Sequence, residues 1–217
     1  MGVEIKFCGL TRPQDAAVAV ELGASYVGAI FASGPRLISP ERAATVFADV
    51  PSSVRRVGVF GEQSADDILR AIDTATLNVV QLHGGGDLAR IDAIQRRFDG
   101  DIWAVVRIPG IELPANFEVL ATASDGLLLD AYVPGALGGT GVALPWNALR
   151  DAVDGVRPIT KIILAGGLKP ENVAQAIAAL SPDVVDVSSG VEDAPGIKNH
   201  HRMRAFRDAV AHISIPT

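Results

Sequence analysis

Short runs rich in valine and isoleucine alternate with alanine-rich stretches of helical period from one end of this chain to the other, and nothing else limits its possible folds as strongly. Eight such pairs are read. The pattern predicts strands over Val3–Phe7, Ser25–Phe31, Val54–Phe60, Asn78–Leu82, Ile102–Arg107, Gly126–Asp130, Lys161–Ala165 and Asp183–Ser188. Their starts lie roughly 22 to 35 residues apart, which leaves each unit room for a strand, a helix and two short loops. Strands this apolar need cover on both faces. The expectation is therefore an α/β chain forming a single (β/α)8 TIM barrel domain over residues 1–217. An open doubly wound sheet fits less well, because the even spacing leaves no gap where strand order would reverse and no Gly-x-Gly-x-x-Gly follows the first strand. With 217 residues and 48% hydrophobic content, the chain can bury a core of that kind.

Helix starts support the division. Ser39-Pro40-Glu41 sets a capping hydroxyl before a first-turn proline, Ser64-Ala65-Asp66-Asp67 resembles a capping box, and Lys169-Pro170-Glu171-Asn172 puts proline at an opening turn. Between Pro109 and Ala123 two prolines and Asn116 leave room only for a short helix amid irregular structure.

Charge and cysteine content narrow the function. A net charge of -6 without a basic cluster offers no footprint for nucleic acid or an anionic membrane. Cys8 is the only cysteine, which rules out an internal disulfide and fits a reducing compartment. The opening Met1-Gly2-Val3-Glu4-Ile5-Lys6 alternates like a strand rather than a signal peptide or membrane span. A cytoplasmic protein is expected, with a small-molecule partner.

In such a barrel chemistry gathers where strands end. Three leucines precede Asp130, so its carboxylate closes a buried strand; it either has a chemical task or caps a turn. The glycines that follow, Gly138-Gly139-Thr140-Gly141, suit a loop that brings N–H groups to a ligand. Cys8 at the first strand's tip is either an apolar filler or a proton-transfer group facing that carboxylate. If Cys8 points inward, so does Lys6, and Asp186 on the neighbouring eighth strand is its expected partner, unless Asp186 reaches a substrate hydroxyl instead. Arg36, delivered by Ser33-Gly34-Pro35, is either a fork for a carboxylate or a solvated loop charge. His83 ends the fourth strand and is either on the same rim or structurally bonded. Arg107 ends the fifth, its role open. Gly166-Gly167 after the seventh strand and Ser189-Gly190 after the eighth agree on a phosphate cradle.

Together these strings resemble phosphoribosylanthranilate isomerase over nearly the whole chain. The matching pieces are Lys6-Phe7-Cys8-Gly9-Leu10-Thr11, Pro35-Arg36, Gln81-Leu82-His83-Gly84, Leu129-Asp130 with Gly138 to Gly141, Ala165-Gly166-Gly167-Leu168 with Pro170-Glu171-Asn172-Val173, and Asp186 to Glu192 with Pro195-Gly196 and Lys198. The resemblance implies an Amadori rearrangement of N-(5-phosphoribosyl)anthranilate in tryptophan biosynthesis, with Cys8 as general base, Asp130 as general acid and Arg36 near the anthranilate carboxylate. It places phosphate on the loops holding Gly166, Gly167, Ser189 and Gly190. The family often has serine where this chain has Gly34, and Phe-Asp where it has Leu144-Pro145.

The reaction needs one acid and one base and neither metal nor redox cofactor. The acid works near neutrality if burial raises its pKa, the thiol if nearby positive charge lowers its own. The nearest rival is a sugar isomerase of the histidine pathway, or a barrel serving both pathways, but that family resembles this one with aspartate in place of Cys8. Indole-glycerol-phosphate synthase relies on strand-end lysines, for which Lys6 and Lys161 sit poorly. A non-catalytic phosphate-binding barrel would lack the acid or the base. Assembly is expected to be monomer or homodimer, the helix from Asn199 to His212 being a free face or an interface.

Overall fold

The computed structural model describes residues 2–84, 87–110, 113–131 and 145–212. Eight strands, β1 (Glu4–Phe7), β2 (Tyr26–Ile30), β3 (Arg55–Phe60), β4 (Val79–Leu82), β5 (Asp101–Ile108), β6 (Gly126–Ala131), β7 (Lys161–Leu164) and β8 (Val184–Val187), pair in chain order and in parallel, and β8 closes on β1. Each expected strand is present, and its ends fall within one residue of the expected bounds. Helices α1 (Pro13–Glu21), α2 (Pro40–Val46), α3 (Ala65–Ala75), α4 (Leu88–Gln95), α5 (Phe117–Ala123), α6 (Trp146–Val156), α7 (Val173–Leu180) and α8 (His200–Ala211) follow the strands in turn.

The strands are apolar throughout because they face two cores. Tyr26, Val57, Val79, Trp103, Val105, Leu128, Ile163 and Val184 fill the barrel, whereas Leu127, Leu129, Ile162, Leu164 and Val185 pack outward under the helices. On β6 this alternation puts Asp130 on the same inward face as Leu128. The capping signals act as expected at two helices: Ser39 Oγ accepts from the Arg42 N–H at 3.2 Å, and Ser64 Oγ accepts from Asp67 N–H at 3.2 Å. The third differs. Pro170 lies in a turn, and α7 begins only at Val173, because Asn172 folds back to accept from Lys169 N–H and donate to the Gly167 carbonyl. The weak segment yields the seven-residue α5.

Lys6 lies fully buried inside the barrel, and its ammonium donates to Asp186 Oδ2 at 2.8 Å, as the register Lys6↔Asp186 allows. Burial alone pushes this lysine down, but the Asp186 charge and hydrogen bond, together with Cys8, outweigh it and hold the ammonium above its ordinary range. Lys6→Met leaves Asp186 an uncompensated buried charge, so urea unfolding is expected to show a loss of about 3–5 kcal/mol. A loss below about 1 kcal/mol would show that Asp186 finds another partner.

At the opposite end of the barrel, Lys161 opens β7 and donates to Glu4 Oε2 and to the Tyr26 hydroxyl, each at 3.0 Å. It is remote from the strand tips and unavailable for chemistry there. The sequence pattern gave no sign of a hairpin of β9 (Glu192–Ala194) and β10 (Ile197–Lys198) between β8 and α8, because strands this short carry no readable period.

Candidate active site

The C-terminal ends of the strands surround one pocket, with about 700 Å³ of atom-free space including open solvent. Cys8, Arg36, His83, Asp130, Gly166, Gly167, Asp186 and Ser189 all line it. Residues from β1, β4, β6 and β8 meet there because parallel strands place their final inward side chains on one rim. Gly139 lies outside the described residues, as do the other glycines of its loop and Gly85-Gly86. Gly190 is not on the pocket wall. A Cβ there would stand 1.9 Å from the Leu168 carbonyl oxygen, so this glycine lets the loop after β8 lie directly against the loop after β7. Gly166 and Gly167, with φ of 80° and 64°, turn the other side of that junction.

Asp130 is buried, 5% exposed, and its Oδ2 stands 3.6 Å from His83 Nε2. That is an electrostatic separation rather than a hydrogen bond. Burial, with the charges of Arg107 and Lys6, drives the His83 pKa down to about 4, so the ring is neutral at pH 7. Neither ring nitrogen has a hydrogen-bond partner among the described residues. The histidine is therefore on the rim rather than structurally bonded. Its imidazole is expected to titrate near pH 4 by NMR; a midpoint close to the usual 6.5 would show that it is solvated or paired instead.

Cys8 is buried beside Lys6. The condition set for the thiol, a pKa lowered by nearby positive charge, is not met: burial raises it, Asp186 adds to that, and the lowering by Lys6 and Lys198 does not compensate. Raised above its ordinary range, the thiol keeps its proton at neutral pH. Asp186 Oδ1 is buried and has no partner among the described residues, although Oδ2 holds Lys6. The carboxylate thus has an oxygen for Lys6 and one to spare, so the two readings of Asp186 are compatible.

Arg36 reaches the pocket wall, but its fork is already held. Nε donates to Glu192 Oε1 at 2.9 Å and one terminal nitrogen donates to Oε2 at 2.7 Å. Lys198 Nζ donates to Glu192 Oε1 at 2.8 Å as well.

The model of the family described as N-(5'phosphoribosyl)anthranilate (PRA) isomerase matches residues 5–209. The chain belongs to this family. Two relatives named N-(5'-phosphoribosyl)anthranilate isomerase are each 40% identical to it: that of Pseudomonas fluorescens Pf0-1, over 96% of this chain and 98% of the relative, and that of Geobacter sp. M21, over 94% and 95%. The solved phosphoribosyl anthranilate isomerase of Thermotoga maritima superposes with a TM-score of 0.86 at 33% identity, covering 97% of this chain and all of that one. A further solved isomerase, at 0.82 and 32% with the same coverage, is a complex with reduced 1-(o-carboxyphenylamino)-1-deoxyribulose 5-phosphate.

Within this isomerase-family site, Gln81 was not singled out from sequence, yet it lines the pocket, is 3% exposed and has an Oε1 without a partner among the described residues. Its position two residues before His83 was a usable signal, since both then share a strand face. Glu192 and Lys198 were visible only as part of a resembling string. Arg107 stands opposite Asp130 in the β5–β6 register, does not line the pocket, and acts on His83 through its charge. Among the described residues no cluster of His, Cys, Asp and Glu is placed to hold a metal ion, and no helix is long and apolar enough to cross a membrane.

Proposed function

We propose that this chain is a cytoplasmic, single-domain phosphoribosylanthranilate isomerase, monomeric or homodimeric, that needs no cofactor. It converts N-(5-phosphoribosyl)anthranilate to 1-(2-carboxyphenylamino)-1-deoxyribulose 5-phosphate in tryptophan biosynthesis. The observation that carries the reading is the meeting of a thiol from β1 and a carboxylate from β6 in one pocket bounded by two abutting glycine loops.

Asp130, as the acid, gives its proton to the furanose oxygen while the C1′–O bond breaks and the nitrogen lone pair forms an iminium. The iminium acidifies the C2′ hydrogen, and Cys8, as the thiolate whose own proton has already been lost to solvent, takes that proton as the electron pair moves to an enolamine, which tautomerises to the ketone. No atoms are gained or lost. The positive charge of the iminium, close to the sulfur and joined by that of Lys6, favours the thiolate that burial disfavours. Backbone N–H groups of Gly166, Gly167 and Ser189 take the phosphate, Gly190 allowing the two loops to abut behind them, with Gly139 assigned to the same task. Asp186 Oδ1 accepts a sugar hydroxyl, and neutral His83 offers a hydrogen bond beside Asp130.

Arg36 receives the anthranilate carboxylate. Arg36→Ala is expected to raise KM about 10- to 100-fold with a much smaller change in kcat, since it removes binding common to ground and transition states. An unchanged KM would show that the guanidinium serves only Glu192.

The direct test follows the fluorescence of freshly prepared phosphoribosylanthranilate with purified protein, beside the histidine-pathway sugar substrate. Turnover of the first and not the second is expected. No turnover of the first sinks the reading, and comparable turnover of both moves the chain to the dual-pathway alternative.

A further inference from the structure

Three charged side chains are buried together beside the pocket. Glu192, 4% exposed at its side chain, accepts from both Arg36 and Lys198, and its Oε1 also accepts from the Gly196 N–H at 3.2 Å. Lys198 Nζ has three acceptors, Glu192 Oε1 at 2.8 Å, the Ser188 carbonyl at 3.1 Å and Ser188 Oγ at 3.4 Å, which together use all three N–H bonds of an ammonium. Burial pushes this lysine below its ordinary range, and Glu192 works against that. The stem of Arg36 crosses Gly9, the residue after Cys8, where a Cβ would stand 2.7 Å from Arg36 Cδ. The hairpin that carries Glu192 and Lys198 is itself fixed to the loop after β1 and to α1: Thr11 Oγ1 donates to the Gly196 carbonyl at 2.6 Å, and the Lys198 N–H donates to the buried Asp15 at 3.3 Å.

A bidentate pair of Arg36 and Glu192 is electrically neutral and has little attraction left for an incoming anion. With Lys198 included, two cations share one carboxylate, and the trio keeps one net positive charge at the pocket wall. We propose that Glu192 and Lys198 are positioning residues for substrate binding, Glu192 fixing the pose of the Arg36 guanidinium over Gly9 and Lys198 supplying the charge that leaves this guanidinium attractive to a carboxylate. The inference rests on reading Arg36 as the anchor of the anthranilate carboxylate. Lys198 also touches Ser188, whose neighbour Ser189 belongs to the cradle assigned to phosphate, so the device joins the two anionic ends of the substrate.

The test is steady-state kinetics with phosphoribosylanthranilate for Glu192→Gln, Lys198→Met, Arg36→Ala and the double variant of Glu192→Gln with Arg36→Ala. Glu192→Gln makes the trio more positive, so attraction by charge alone predicts a lower KM. Positioning predicts the reverse, a KM raised about tenfold with kcat changed less than about threefold. Lys198→Met is expected to raise KM to a similar extent. In the Arg36→Ala background Glu192→Gln should add less than about twofold, because it acts through the missing side chain. An unchanged or lowered KM in Glu192→Gln overturns the proposal, as do effects of the two substitutions that multiply in the double variant. A parallel fall in kcat would mark general loosening of the rim around Cys8 and overturns it too. Should Glu192→Gln not fold, Lys198→Met decides alone, since unchanged KM there removes the role given to its charge. If Arg36→Ala by itself leaves KM unchanged, the anchor reading fails and this inference with it, which the single variant reports separately from the double one.

Discussion

Asp130→Asn is expected to yield a folded barrel whose kcat is lower by about a thousandfold, within the range that a positioned proton donor contributes. The amide matches the carboxyl group in size, so the packing of Leu128 and the neighbouring strand tips is kept, but it has no proton to give the furanose oxygen. In the proposed reaction this carboxyl is the acid, and β6 holds it buried on the pocket rim at the end of a leucine run. Turnover by the purified variant within about tenfold of the native protein, with native ellipticity, would remove Asp130 from the reaction.

Cys8→Ser should be as severe in kcat, about a hundred- to ten-thousandfold, because a hydroxyl is far less acidic than a thiol and supplies no anionic base at accessible pH even when placed identically. The pH profile adds a sign. A base acts when deprotonated, and the Cys8 thiol is raised above its ordinary range, so only a small fraction is thiolate at neutral pH and that fraction grows as pH rises. In the native protein kcat/KM is therefore expected to climb through the alkaline range, and the climb should vanish in Cys8→Ser. A native profile already flat from pH 6 upward would mean that the working base is another group.

The strand tips show how far periodicity reaches and where it ends. Cys8, Asp130, His83 and Asp186 were readable because a strand's two-residue repeat says which side chains share a face, and a barrel says which strand ends share a rim. The Lys6–Asp186 pair followed from the same rule and is present at 2.8 Å. Pro170 misled because proline suits a helix's first turn and a preceding turn equally well, and Asn172 decided for the latter by bonding backward. The direction of the thiol's shift was not legible either: a lowered pKa was only the condition for its working as a base, and complete burial outweighs the nearby cations and raises it. The hold of Glu192 on Arg36 spans 156 positions of chain, from a loop to a hairpin too short to carry a repeat, so no local pattern contained it.

What the sequence determined alone was the number, order and bounds of the eight strands and the chemical types at their tips, since these depend on local propensity and alternation. What only the tertiary structure decided was the electrostatic state of those tips: a neutral His83, a protonated Cys8, and an Arg36 already engaged by Glu192 and, through it, Lys198. Charge states depend on every group within a few ångströms and on the loss of water around them, and both are set by segments distant in sequence that meet only when the barrel closes.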